Sequence, residues 1–198
     1  MWKSVPNILT FVRLGLTIVF LSMVLYWPQV TDRPSFLDAA FVLFVIAGLT
    51  DVVDGHLARR WNATSKFGRM IDPLVDKVLV CGTFICFAII GVPRLFDWGP
   101  VTLGVFHWVV AGILIAREAY VTVLRHSAEA HGINFAAVRL GKIKMFVQVF
   151  AIGTVLIKVA HVPAAWGHWF TLAVFTLMVA ITVASGVQAA CRIRAARS

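Results

Sequence analysis

Six mostly apolar runs, at 8–27, 36–58, 70–92, 101–124, 140–161 and 166–190, take up most of the 198-residue chain. Each has the length of about 20 residues that an α-helix needs to cross a hydrocarbon layer about 30 Å thick. Hydrophobic residues make up 60% of the chain and charged ones 14%, with a mean hydropathy of +0.88. Soluble domains carry about 45–50% apolar and about 25% charged residues. A soluble core of this size cannot absorb so much apolar surface, so the bilayer is the fitting solvent. The expectation is an all-α, polytopic membrane protein of about six transmembrane helices, forming a single domain over 1–198.

Proline and polar residues punctuate the runs at 28–35 (PQVTDRPS), between Pro93 and Pro100, and at Pro163. The first run follows Lys3, as in a secretion signal. It is long for one, however, Arg13 interrupts it, and no small-residue cleavage site follows, so it reads as a retained membrane helix. Cys81, Cys86 and Cys191 match no zinc spacing and are expected to be buried, reduced thiols.

The net charge of +9 would suit nucleic acid, but the basic residues lie between apolar runs rather than on a soluble face, so no nucleic acid is expected. One set of helix ends carries Lys3, Arg59, Arg60, Lys66, Arg69, Arg125, Arg139, Lys142, Lys144, Arg192, Arg194 and Arg197; the other carries Arg33, Arg94 and Lys158. Basic residues favour the cytoplasmic side. Both termini are therefore expected in the cytoplasm, with Trp27, Trp98, Trp166 and Trp169 near the opposite interface. His107, His161 and His168 are expected at that interface too. Gly104, Ala111 and Gly112 are expected to let helices approach closely.

The second run ends in GLTDVVDGHLARRW and the third begins in FGRMIDPLVDKVLV. Together they give D-x-x-D-G-x-x-A-R, then eight residues, then G-x-x-x-D-x-x-x-D, formed by Asp51, Asp54, Gly55, Ala58, Arg59, Gly68, Asp72 and Asp76. Residues three or four apart share a helix face. Asp51, Asp54 and Ala58 therefore share one face, and Gly68, Asp72 and Asp76 another. A short connection makes the two helices antiparallel neighbours, on which four carboxylates can converge. Gly55 and Gly68 leave room for a backbone or ligand, and Pro73 can kink the third helix.

An aspartate at the centre of a membrane helix costs roughly 2.5–3.5 kcal/mol on insertion scales, and like charges close together add repulsion. Pairing with Arg59, Arg69 and Lys77 is one way to hold such a group. A hard divalent cation is the stronger one, since magnesium prefers carboxylate oxygens and often shares its shell with substrate phosphates. Two ions about 3.5–4 Å apart could clamp a diphosphate.

At these eight positions the chain resembles the CDP-alcohol phosphotransferase family, matching every position of its signature. The resemblance implies a six-helix membrane fold, a homodimer, and a polar cavity open to the cytoplasm at the inner membrane. It implies that Asp51, Asp54 and Asp72 bind Mg2+ or Mn2+, two ions in all. Asp76 would share the metal or act as general base. Gly55, Ala58, Arg59 and Gly68 would line the CDP site. The implied reaction is attack by an acceptor hydroxyl on the lipid-linked phosphorus with release of CMP.

Three further stretches are similar to the phosphatidylglycerophosphate synthase branch of that family. They are PNILTFVR, with Asn7, Thr10 and Arg13 on one stripe; IAREAYVTVLR, with Arg117, Glu118 and Arg125; and GKIKMFVQ, with Lys142, Lys144 and Gln148. That branch joins CDP-diacylglycerol to glycerol 3-phosphate. The likeness implies that Asn7 and Thr10 contribute to the CDP site. The acceptor brings its own phosphate, which needs cations, and Arg117, Lys142, Lys144 and Arg125 supply them. Met145 and Val75 depart from the branch, where Thr and Ala often stand. Arg117 and Glu118 also read as an ion pair within the bundle, with Glu118 orienting Arg117. Other acceptors, as in cardiolipin synthases or inositol-phosphate-using enzymes, fit the same signature. A cation transporter would use the aspartates as a relay, but no second acidic site appears in another half of the chain.

Overall fold

A computed structural model of the chain describes residues 5–61, 66–130 and 139–197, with side chains described at 10–50, 74–128, 130, 140–141 and 143–194. These stretches form the helices α1 (Val5–Tyr26), α2 (Arg33–Trp61), α3 (Lys66–Ile90), α4 (Pro100–Ala130), α5 (Arg139–His161) and α6 (Ala165–Arg197), with one 3-10 turn at Trp27–Gln29. There is no strand among the described residues. Each apolar run of the sequence corresponds to one helix, the first and third runs overshooting theirs by one and two residues. Described segments of α1, α2, α4, α5 and α6 are long and apolar enough to cross a membrane, and α3 packs between α1 and α4. The protein is a polytopic, all-α membrane bundle.

Local chemistry sets several helix ends. Pro100 opens α4, where its missing N–H would have no intrahelical partner anyway. α3 closes on Gly91, whose φ of +68° suits a residue without Cβ, and Val92 N donates to Phe87 O at 3.0 Å across the end. Pro73 does not interrupt α3, which is helical on both sides of it.

The contacts define an up-and-down arrangement. Only residues 27–32 separate α1 from α2, and the two helices pack together with Phe20 and Phe44 ring centroids 5.2 Å apart, so they run antiparallel. Lys77 reaches Thr122 between α3 and α4, and Glu118 reaches Lys144 between α4 and α5. Starts of α1, α3 and α5 therefore gather with ends of α2, α4 and α6. α1 packs on both α2 and α3, and α6 on α4 and α5. Among the described residues α2 and α3 meet through α1, while the α2–α3 approach expected around the signature lies outside the described side chains. Phe20, Phe44, Phe84, Phe87, Ile152, Phe175 and Met178 fill the core. Large apolar side chains such as Phe11, Val105, Trp108, Phe146 and Trp169 face outward, as they do where lipid replaces water.

The far end is built around aromatic rings. Trp27 lies beneath Arg33 at 5.7 Å, and Phe96 contacts Trp98 and Trp169. Here His168 Nδ1 accepts from Phe96 N at 3.0 Å, and exposed His161 pairs with Asp38 at 2.7 Å. His107 is also tied to this end, but is buried. It is 3% exposed, inside the bundle, with Nε2 3.2 Å from Pro93 O, and braces the α3–α4 connection. A buried imidazole requires such a partner, and a carbonyl freed by the turn provides it.

Two expectations change. A Cβ at Gly104 or Gly112 would meet nothing within 4 Å, so neither glycine mediates close packing, although Ala111 is buried. Close approach occurs at Gly82, where a Cβ would lie 2.9 Å from Leu21 Cδ1. The three cysteines are free, but only Cys86 is buried; Cys81 is partly exposed and Cys191 exposed.

Candidate functional site

Several charged residues of the membrane-spanning helices converge at the end formed by the starts of α1, α3 and α5, while Lys158 and the Asp38–His161 pair lie at the other end. On α1, Thr10, Arg13 and Thr17 recur at helical spacing and are all buried. Thr17 Oγ1 donates to Arg13 O at 2.8 Å, and the Arg13 guanidinium crosses to the carboxylate of Asp76 on α3. Arg13 keeps 2% of its side chain exposed and Asp76 29%. A guanidinium and a carboxylate in direct contact satisfy one another where water is scarce, which is what permits both within apolar helices.

A second cluster lies between α3, α4, α5 and α6. Arg117 donates from Nε to Ser185 Oγ at 3.0 Å and from NH1 to Glu118 Oε1 at 2.9 Å. Lys144, reaching in from α5, donates to the same carboxylate oxygen. On the α3 side, Lys77 Nζ donates to Thr122 Oγ1 at 2.7 Å, and that hydroxyl donates to Glu118 O at 2.6 Å. Glu118 thus does more than orient its neighbour: one carboxylate joins two cations from two helices. One turn along α5 from Lys144, the buried Gln148 Nε2 has no partner among the described residues.

The backbone places the remaining sequence-predicted residues at this same end. Asp51, Asp54, Gly55, Ala58 and Arg59 lie in the last turns of α2, and Gly68 and Asp72 in the first turns of α3. Asn7 lies in the first turn of α1 and Lys142 in that of α5. The side chains of all nine lie outside the described residues. Among the described residues no three His, Cys, Asp or Glu side chains form a metal-binding group; three of the four signature aspartates are not in that set. Arg125 is exposed two turns beyond Glu118. Sequence reasoning gave no role to Ser185 or Thr122 and did not pair Arg13 with Asp76. A lone arginine inside an apolar run was the available signal for the pair, since such a charge needs a partner; a serine or threonine in a membrane helix carries no comparable signal.

Apolar helices enclosing a cluster of ionised groups at one end set this bundle apart from a passive membrane anchor. Residues 3–186 match the family model described as CDP-alcohol phosphatidyltransferase. A protein of Escherichia coli (strain K12) named CDP-diacylglycerol–glycerol-3-phosphate 3-phosphatidyltransferase is 35% identical over 187 residues, covering 93% of this chain and 92% of its own. Its namesake in Shigella flexneri serotype 5b has the same identity and coverage. That of Bacillus subtilis (strain 168) is 34% identical over 161 residues, 78% of this chain and 77% of its own. The chain belongs to the CDP-alcohol phosphatidyltransferase family, enzymes that transfer substituted phosphate groups. It is a family that uses divalent metal.

Proposed function

We propose that this protein transfers the phosphatidyl group of CDP-diacylglycerol to glycerol 3-phosphate, giving phosphatidylglycerophosphate and CMP. The observation that carries the reading is the meeting of Arg117 and Lys144 at one carboxylate, at the bundle end that also holds Asp76 and the signature helices. The identically named relatives, aligned over 93% of the chain, support the same reaction.

Asp76, engaged by Arg13, takes the proton of the acceptor hydroxyl as its oxygen bonds to the lipid-linked phosphorus. The bond from that phosphorus to the oxygen of the CMP phosphate breaks, and CMP leaves with the bridging oxygen. Arg117, Lys144 and Lys142 hold the acceptor's phosphate, with Arg125 nearer the mouth. Gly55, Ala58, Arg59, Gly68, Asn7 and Thr10 line the CDP site.

Asp51, Asp54, Asp72 and Asp76 would hold two divalent ions, Mg2+ or Mn2+. An all-carboxylate donor set, carried by α2 and α3 at one bundle end, fits a hard cation. Bound there, the ions neutralise the diphosphate and its leaving group. The protein sits in the inner membrane as a homodimer, with site and termini in the cytoplasm. The excess of lysine and arginine at the site end supports that orientation.

The test is CMP release by purified protein from CDP-diacylglycerol against glycerol 3-phosphate, inositol phosphate and phosphatidylglycerol. Turnover is expected with glycerol 3-phosphate, should vanish in EDTA, and should return with Mg2+ or Mn2+. Preference for another acceptor would reassign the substrate, and no CMP release with any acceptor would refute the reaction.

A further inference from the structure

We infer that Lys77 is an additional cation of the acceptor-phosphate site, so that α3 presents the proton-accepting carboxylate and a phosphate ligand on consecutive residues. The inference rests on the transfer reading above and extends it to a residue given no role there.

Asp76 and Lys77 are neighbours in the chain, but their side chains diverge around α3. Asp76 turns to Arg13 of α1, and Lys77 turns to α4. Lys77 thereby joins the cluster around Glu118. Its ammonium bonds to Thr122 Oγ1, which bonds to Glu118 O, while the Glu118 carboxylate ties Arg117 and Lys144. Lys77 forms no ion pair among the described residues. Among the described residues, three cations on three helices thus share this cluster with one carboxylate, a surplus of two positive charges.

A surplus of that size inside an apolar bundle is costly unless an anion arrives to match it. A phosphate monoester carries about −1.5 to −2 near neutral pH, which balances the surplus. A lysine ammonium is well suited to phosphate as a compact point charge. A bond from Lys77 to a neutral hydroxyl is readily exchanged for one to an anionic oxygen, because charge-assisted bonds are the stronger. The same cation would bias the enzyme against acceptors that lack a phosphate.

The test uses the full chain in detergent micelles with saturating CDP-diacylglycerol. Lys77→Met should raise KM for glycerol 3-phosphate about tenfold or more, the scale of one hydrogen bond to a charged group, with KM for CDP-diacylglycerol unchanged. Lys77→Gln retains a donor for Thr122 while losing the charge; it should behave like Lys77→Met and guards against failed folding. Lys77→Arg should recover part of the loss. Thr122→Val removes the tie between α3 and α4 but leaves the ammonium, and should leave KM for the acceptor unchanged. Without lipid substrate, glycerol 3-phosphate should raise the unfolding temperature of the unaltered protein, glycerol should not, and Lys77→Gln should abolish the rise.

Equal effects of Lys77→Gln and Thr122→Val would mean that Lys77 only joins helices. A rise in KM for CDP-diacylglycerol alone would place Lys77 at the diphosphate. Either result overturns the assignment while leaving the transfer reaction standing. Failure of the unaltered protein to use glycerol 3-phosphate would remove the reaction and this residue's role together.

Discussion

The ion pair between Arg13 and Asp76 joins two helices and holds the carboxylate proposed to take the acceptor's proton, so its removal should be felt in both stability and turnover. Arg13→Met keeps most of the side-chain volume and deletes the charge. Stripping one partner from a fully buried pair costs about 3–5 kcal/mol, because the other charge is left without compensation. Arg13 is fully buried, but Asp76 keeps 29% of its side chain exposed, and water recovers part of that loss. The expected destabilisation is about 2–3 kcal/mol, roughly 30- to 160-fold in the unfolding equilibrium. Unfolding should be followed by SDS titration in mixed micelles with EDTA present, so that no divalent ion substitutes for the guanidinium. Asp76→Asn in the Arg13→Met background should restore much of the stability, since a neutral amide has no charge to compensate. The double-mutant cycle should return a coupling energy near 2 kcal/mol. Coupling within about 0.5 kcal/mol of zero would mean that the two charges are held independently, and the reasoning would fail. The single change should also lower kcat.

Two other substitutions probe the packing and the basic cluster. Gly82→Val should destabilise the bundle by about 1–3 kcal/mol through overpacking, because its Cβ would lie 2.9 Å from Leu21 Cδ1; adding Leu21→Ala should relieve much of that, and thermal unfolding of the three variants checks it. Glu118→Gln leaves Arg117 and Lys144 without their shared carboxylate and should cost about 3 kcal/mol. Inorganic phosphate should then raise the unfolding temperature of the variant more than that of the unaltered protein; equal responses would show that the anion binds elsewhere.

Much of the architecture was legible in the residue order. The six apolar runs became six helices, because a backbone in lipid must satisfy its hydrogen bonds within each segment and length alone then fixes a span. The signature spacing put the aspartates on the last turns of α2 and the first turns of α3, at the bundle end that also holds Arg13, and the arginine, glutamate and lysine singled out on the fourth and fifth runs do converge. These are local quantities: hydropathy, helical period and charge along a line.

Tertiary structure decided the pairings. Nothing in the residue order says that Arg13 faces Asp76, that Lys77 turns to Thr122, that Glu118 serves Arg117 and Lys144 together, or that His107 points inward to Pro93. The same holds for close approach at Gly82 and Gly153 rather than at Gly104 and Gly112. Each depends on the rotation of one helix about its axis relative to its neighbours. That rotation is set by the sum of packing contacts over the whole bundle, so it becomes fixed only when the helices assemble.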